Sequence, residues 1–384
     1  MSSRTIMMIA GEASGDMYGG LLAAALLCRG PVRLVGMGGR KMAEAGVELA
    51  YPLADHAIVG WSGVLRSLFL FRRVLMQARR MLEEQRPDAL VLLDYPGFNV
   101  RLARFAHSRG IPVIYYISPQ LWAWNPGRIH EIRRVVDLML VILPFEPGFY
   151  RQAGMEVEFV GHPLLDVIPP GLLGAATPPT RHGEVRLGLL PGSRRGELRH
   201  MLPTLLAASR LIVERLPRCR VVAFRAPGLS DADFGRLGDL PVEVCEADYA
   251  ARARIHYALT ASGTATLENA LLGVPMCVIY RAGPLNMAIA KALVRIPRIG
   301  LVNIVAERDI CPEFIQRQAH AQAIADAALP VLSDPARWQE VRRDLDEVRH
   351  RLGRPGASHR AADAIVAHLG LPAPSPHLLG STAP

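Results

Sequence analysis

Long unbroken apolar runs are missing from this 384-residue chain, although half of its residues are hydrophobic. The longest apolar stretch, Ile58 to Met76, is interrupted by Arg66, Arg72 and Arg73, so a membrane span there is costly. Cysteine is sparse: Cys28, Cys219, Cys245, Cys277 and Cys311 are odd in number and far apart, with no Cys-x-x-Cys. That pattern excludes a disulfide framework and a cysteine zinc site, and it fits a reducing compartment. No Gly-Lys-Ser/Thr closes a Walker loop, and no basic motif with interleaved aromatics points to nucleic acid. Only 21% of residues are charged, which suits a globular chain rather than a disordered one. A short apolar run leads straight into an acidic turn without a secretory pattern, so a cytoplasmic protein is expected. What is in surplus is positive charge. A net +9 calls for an anionic partner, either a membrane surface or a phosphorylated substrate.

Short apolar runs alternate with amphipathic stretches along the whole chain. Strands are expected at Thr5 to Ala10, Val32 to Val35, Ala89 to Asp94, Val113 to Ile117 and Leu138 to Leu143. Helices are expected between them, as at Tyr18 to Cys28, Gly63 to Arg86 and Asn99 to Arg109. A second series follows at Val185 to Leu190, Arg220 to Phe224, Val242 to Val244, Tyr257 to Thr260 and Met276 to Tyr280. Glu307 to Leu352 reads as mostly helical and Ala357 to Leu369 as a final helix. Strands separated by helices imply parallel, doubly wound sheets, and 384 residues exceed one ordinary core. The fold class expected is therefore α/β with two Rossmann-like domains facing across a cleft. The boundaries are residues 1–165, a Pro/Gly/Thr-rich linker at 166–184, and a second domain at 185–352. A helix at 353–370 is expected to pack back on the first domain, ahead of a disordered tail at 371–384. By analogy of fold, this is the GT-B arrangement of sugar-nucleotide enzymes.

Polar turns follow the apolar strands. After the first comes Gly11-Glu12-Ala13-Ser14-Gly15-Asp16, where small residues let a ligand approach and Glu12, Ser14 and Asp16 offer hydroxyl or proton contacts. A helix cap explains Ser14 and Asp16 equally well. Leu92-Leu93-Asp94-Tyr95-Pro96-Gly97 delivers Asp94 to a strand end as a candidate general base. Ser118-Pro119-Gln120-Leu121-Trp122-Ala123-Trp124 puts Gln120, Trp122 and Trp124 where they wall a sugar or acyl chain, or simply pack. In the second half, Pro191-Gly192-Ser193-Arg194 suits an anion nest with a guanidinium on a diphosphate. Ser262-Gly263-Thr264 opens a helix whose N–H groups suit the same anion, and Glu268 one turn on suits a ribose diol, unless these residues only cap the helix. Asn303 reads as a loop residue between helical stretches. Val64, Leu65, Leu68, Phe69 and Phe71, flanked by Arg72 and Arg73, suit a membrane interface or a core helix. No Asp-x-Asp is found at a strand end near the nucleotide turn, so neither a metal nor another cofactor is expected.

In this order, these motifs resemble the lipid-A-disaccharide synthase family of inverting GT-B glycosyltransferases. The resemblance is carried by residues 10–16, 118–124, Leu-Pro-Phe-Glu at 143–146, Gly-His-Pro at 161–163, Leu-Leu-Pro-Gly-Ser-Arg at 189–194, residues 262–268 and Asn303. It implies transfer from UDP-2,3-diacylglucosamine to 2,3-diacylglucosamine 1-phosphate (lipid X), giving a β-1,6 disaccharide 1-phosphate and UDP. It also implies a base at Asp94, donor contacts at Arg194, further active-site groups at Glu268 and Asn303, and a seat on the anionic cytoplasmic face of a Gram-negative inner membrane. A homodimer is left open. Gly97 stands where the family often has a second Asp, Ser62-Gly63 where a glutamate is common, and Ala306-Glu307-Arg308 for Ala-Gly-Arg. The competing readings are another GT-B UDP-N-acetylglucosamine enzyme (a 2-epimerase or peptidoglycan-type transferase) and a non-catalytic binder of anionic lipid.

Overall fold

A computed structural model describes residues 4–53, 64–124, 126–235, 237, 239–283 and 297–371. The chain divides into two compact units, Met1–Asp166 with Arg354–Pro384, and Val167–Gly353. In the first unit, β1 (Arg4–Ala10), β2 (Val32–Met37), β3 (Glu48–Tyr51), β4 (Ala89–Leu93), β5 (Val113–Tyr116), β6 (Leu138–Val141) and β7 (Glu158–Phe159) form one sheet. Its order is β3-β2-β1-β4-β5-β6-β7, with every pairing parallel. In the second unit, β8 (Val185–Leu190), β9 (Cys219–Arg225), β10 (Val242–Glu246), β11 (Tyr257–Ala261), β12 (Met276–Tyr280) and β13 (Glu313–Ile315) pair in the order β10-β9-β8-β11-β12-β13, again all parallel.

The central strands are apolar without alternation because helices cover both faces. Ile6 to Ala10 and Ala89 to Leu93 are completely buried. In each sheet the strand order reverses once, at β1/β4 and at β8/β11. Ligands of open parallel sheets bind outside the strand carboxyl ends at such a switch point. The turns after β1 and β4, and those after β8 and β11, are the acidic and glycine-rich turns that the motif reading singled out. Topology thus brings Gly11–Asp16 beside Asp94–Asn99, and Gly192–Arg194 beside Ser262–Thr264.

The edge strands β3, β7 and β13 went unseen in the sequence, being too short and half-exposed to show a period. β13 interrupts the segment expected to be mostly helical. Two helices also begin earlier than expected, at Ala13 and at Pro96, because the small-residue turns are themselves first helical turns. The stretch expected as a linker holds a 3₁₀ turn at Pro170–Leu172, and Gly174 and Ala176 donate to Leu271 and Leu272 carbonyls at 2.8 and 3.0 Å. The final helix Ala357–His368 packs on Ala13–Leu27 within the first unit. The Asp166 carboxylate accepts from Gly356 and Ser358 N–H at its start, and Arg29 reaches Asp363 and the His359 carbonyl along its side.

Candidate functional site

Asp94 and Tyr95 follow β4 in the left-handed region, at φ 44° and 43°, which non-glycine residues occupy only when held there. Three bonds hold this turn. Asn99 Nδ2 donates to the Leu93 and Asp94 carbonyls at 3.0 and 2.7 Å, and Tyr115 Oη donates to the Asp94 carbonyl at 2.5 Å. The Tyr95 ring stacks on Phe98 and covers Gly11 so closely that a Cβ there falls 2.3 Å from Tyr95 Cδ1. Only glycine admits the ring, so the turns after β1 and β4 interlock. Asp94 is half-buried in this turn, and its pKa is pushed up to about 7 by partial desolvation first, then by the Glu12 charge, with Glu146 adding to it. The Tyr95 N–H pulls the other way without winning. A carboxyl poised near neutrality suits a general base.

The sequence reading did not place Glu146 in the site. It opens the helix Glu146–Gln152 after β6 and is 1% exposed. Ser118 Oγ donates to it at 2.5 Å, Trp122 Nε1 at 3.3 Å, and the Ile142 and Leu143 N–H groups at 3.2 and 2.9 Å. Burial still raises its pKa above the usual carboxylate range, outweighing those four donors. Its signal in the sequence was the Leu-Pro-Phe-Glu motif just past a strand. Trp122, read as a sugar wall, is engaged in the fold instead: its ring meets Phe145 edge-on at 5.0 Å and its N–H is spent on Glu146. Gln120 is exposed on the same loop, and the Trp124 side chain lies outside the described residues. Buried His162 is neutral: burial lowers its pKa to about 3, and its Nδ1 accepts from Leu164 N–H at 3.1 Å.

Asp16 is corrected. Rather than meeting a ligand, its buried carboxylate accepts from Gly39, Lys41 and Met42 N–H at 2.7, 2.9 and 3.1 Å, capping the neighbouring helix Arg40–Glu44. Neither does it cap its own helix, which begins without a side-chain cap. Ser14 is half-buried in that helix's first turn, beside Glu12.

In the second unit, Gly192 has φ 112°, and a Cβ there falls 2.5 Å from Glu197 Oε2. Glu197 was not foreseen. Its carboxylate accepts from Ser193 N–H at 3.0 Å and lies 3.5 Å from Arg194 Nη1, so it occupies the turn that was expected to take a phosphate. Arg194 itself is half-exposed. Ser262 is corrected as an anion donor. Its hydroxyl donates to the Ile299 carbonyl at 2.6 Å and its N–H to Ile279 at 3.3 Å. The helix Thr264–Leu272 starts at Gly263 with φ 139°; Thr266 N–H donates to the Gly263 carbonyl at 3.1 Å, and no side chain caps the N–H groups before it. Glu268 on this helix pairs with Arg252 at 2.6 Å and accepts from Tyr249 Oη at 3.0 Å.

Asn303 is corrected twice. It lies in the helix Leu301–Ala306, and it is fully buried with its amide saturated. Nδ2 donates to the Cys311 carbonyl and Glu313 Oε1, both at 2.8 Å, while Oδ1 accepts from Ile310 and Cys311 N–H at 3.0 and 2.9 Å. No donor or acceptor remains for a substrate. An Asp-x-Asp was also overlooked. Asp231-Ala232-Asp233 follows β9, where Asp233 pairs with Arg195 at 2.8 Å and Asp231 with Arg225 at 2.5 Å. Asp233 closes a capping box with Ser230, and both carboxylates bridge to arginines rather than converging on a cation.

The helix Val64–Gln85 is amphipathic. Phe71, read as membrane-facing, packs on the core instead, edge-on to Phe98 at 5.7 Å with Arg101 over its other face. The opposite stripe holds Phe69 and Met76, 73% and 62% exposed, with Arg72 and Arg73 between them. The side chains of Val64, Leu65 and Leu68 lie outside the described residues. No helix among the described residues is long and apolar enough to cross a membrane.

Comparison with known proteins places this geometry. The lipid-A-disaccharide synthetase family model matches residues 6–367. The lipid-A-disaccharide synthase of Syntrophus aciditrophicus is 42% identical over 377 residues, covering 94% of this chain and 97% of that protein. That of Geobacter sulfurreducens is 41% identical, covering 96% and 98%. Among solved structures, a putative UDP-N-acetylglucosamine 2-epimerase of Listeria monocytogenes aligns at TM-score 0.65 and 15% identity, over 96% of this chain and 97% of that one. The calicheamicin glycosyltransferase CalG4 aligns at TM-score 0.62 and 20% identity, over 96% and 99%. These two likenesses establish the fold, which transferases and epimerases share. The family match runs from β1 into the final helix, and on it the chain belongs to the lipid-A-disaccharide synthetase family.

Proposed function

We propose that the chain is an inverting hexosyltransferase of lipid A biosynthesis. It moves the sugar of UDP-2,3-diacylglucosamine onto the 6-hydroxyl of lipid X, releasing UDP and the β-1,6 disaccharide 1-phosphate. Family membership supports glycosyl transfer between a sugar nucleotide and a lipid acceptor. The observation that carries the mechanism is Asp94, a carboxyl with a pKa of about 7 at the sheet switch point. Asp94 takes the acceptor's proton as the hydroxyl oxygen bonds to the anomeric carbon. The bond from that carbon to the UDP oxygen breaks with its electron pair, inverting the centre. Arg194 and the N–H groups at the start of Thr264–Leu272 receive the departing diphosphate; each such preorganised donor contributes on the order of a few kcal/mol. Glu12 keeps Asp94 basic enough to accept the proton.

The exposed Phe69/Met76 stripe with its arginines seats the enzyme on the anionic cytoplasmic face of the inner membrane, where both acylated substrates reside. Turnover proceeds without a metal, so EDTA leaves the rate unchanged. Purified protein incubated with UDP-diacylglucosamine and lipid X should yield the disaccharide by mass spectrometry, and Asp94→Asn should abolish product while retaining UDP affinity. UDP release that does not depend on lipid X would instead mark an epimerase-like or hydrolytic enzyme.

A further inference from the structure

A buried ion pair stands behind the helix Thr264–Leu272. Arg252, 3% exposed, closes the short helix Tyr249–Arg252. Its Nη1 lies 2.6 Å from Glu268 Oε2, and its Nη2 lies 2.6 Å from Asn269 Oδ1 and 3.4 Å from the Ala265 carbonyl. Its Nε is buried without a hydrogen-bond partner. Tyr249 Oη donates to the other Glu268 oxygen at 3.0 Å, and the guanidinium lies 5.7 Å from the Tyr249 ring centre. Burial and the Glu268 charge push the Tyr249 hydroxyl up, so it stays a donor.

As a staple between two helices this cluster is expensive. A buried pair seldom repays its desolvation, and apolar side chains of the same volume hold helices together as well. What apolar packing does not do is orient a carboxylate. Glu268 remains 17% exposed. An ionised carboxylate offers about four lone-pair sites, and Arg252 and Tyr249 take one on each oxygen. That leaves acceptor capacity on both oxygens, one for each hydroxyl of a vicinal diol. The turn of Glu268 about its last bond is fixed from behind.

We infer that Arg252 and Tyr249 are positioning residues that lock Glu268 for both hydroxyls of a ribose and so set the preference for ribonucleoside over deoxyribonucleoside diphosphates. The inference rests on the reading that Glu268 meets the donor's ribose. Titration calorimetry on the full chain with UDP and with 2′-deoxy-UDP tests both. The wild type should bind UDP about tenfold more tightly, the worth of one charge-assisted hydrogen bond. Glu268→Gln should cut that ratio to about threefold or less. Tyr249→Phe and Arg252→Met should do the same by weakening UDP more than 2′-deoxy-UDP, which keeps only the 3′-hydroxyl contact, and Arg252→Lys should restore part of the preference. If Arg252→Met does not fold, Tyr249→Phe decides alone. A ratio kept in Tyr249→Phe but lost in Glu268→Gln, or both ligands weakened equally, overturns the positioning role and leaves a structural staple. A ratio near one in the wild type, or one untouched by Glu268→Gln, overturns the ribose reading beneath it.

Discussion

Replacing Asn303 with alanine separates a structural amide from a substrate contact. The carboxamide is fully buried, and its four bonds reach the Ile310 and Cys311 N–H groups, the Cys311 carbonyl and Glu313 Oε1. Glu313 is not stranded by the change, since its carboxylate also accepts from Ile299 and Gly300 N–H at 2.8 and 2.9 Å. Three backbone groups are. An unpaired buried polar group costs about 1–3 kcal/mol, so the sum lies between about 3 and 9 kcal/mol. Water entering the vacated space relieves part of it, and about 3–5 kcal/mol is expected, large for a single substitution. The segment that suffers carries β13 at the sheet edge, so the second unit should unfold at lower urea. Urea denaturation followed by tryptophan fluorescence reports this through Trp338, which is buried in that unit. UDP affinity of the folded protein, measured by calorimetry below the transition, should stay within about twofold. Stability within about 1 kcal/mol of wild type, with UDP affinity lost, would refute the reasoning and return Asn303 to the donor site.

Asp94 predicts a pH profile: kcat/KM should rise with pH through a midpoint near 7, and Glu12→Gln should move that midpoint down by removing a charge that raises it. The same group bears on stability. A folded pKa of about 7 against an ordinary 3.8 favours folding most at low pH and loses that contribution as pH climbs from about 4 to about 7, so Asp94→Asn should stabilise the protein at pH 8 by up to about 4 kcal/mol and change little near pH 4. Arg194→Ala should weaken UDP binding about tenfold or more, whereas Glu197→Gln should tighten it, because the carboxylate on Ser193 N–H competes with the diphosphate; calorimetry reads both, and equal losses would remove Glu197 as a competitor. Phe69→Ser with Met76→Ser should leave the melting temperature within about a degree, since both side chains are exposed, yet reduce sedimentation with anionic vesicles. Unchanged vesicle binding would take the membrane away from this stripe.

Much of the fold, and the placing of the candidate turns, was legible because parallel sheets write themselves in runs. Ile6 to Ala10, Ala89 to Leu93, Leu187 to Leu190 and Tyr257 to Ala261 are buried on both faces, and the polar turn after each marks a strand carboxyl end. That is why the two acidic turns and the two nucleotide-type turns stand out. The edge strands β3, β7 and β13 were not legible, since a few half-exposed residues carry no period. Polar residues within the motifs were ambiguous for another reason. Asp16, Trp122, Ser262 and Asn303 stand beside the candidate sites in sequence, yet each spends its hydrogen bonds on the fold. Phe71 is adjacent in sequence to the exposed stripe but about half a helical turn away from it, which puts its ring on the core.

The order of apolar runs and small polar turns determined the two parallel sheets, the family, and which strand ends are candidates for chemistry. That information is local: each run and each turn is contiguous in the chain. Tertiary structure alone decided which polar groups are free to act. A hydrogen bond consumes a donor whatever its distance in sequence, and the partners of Asp16, Glu146, Glu197 and Asn303 were settled only when strands and helices came together. The same closeness raised the Asp94 carboxyl, since desolvation and a neighbouring charge act through space rather than along the backbone.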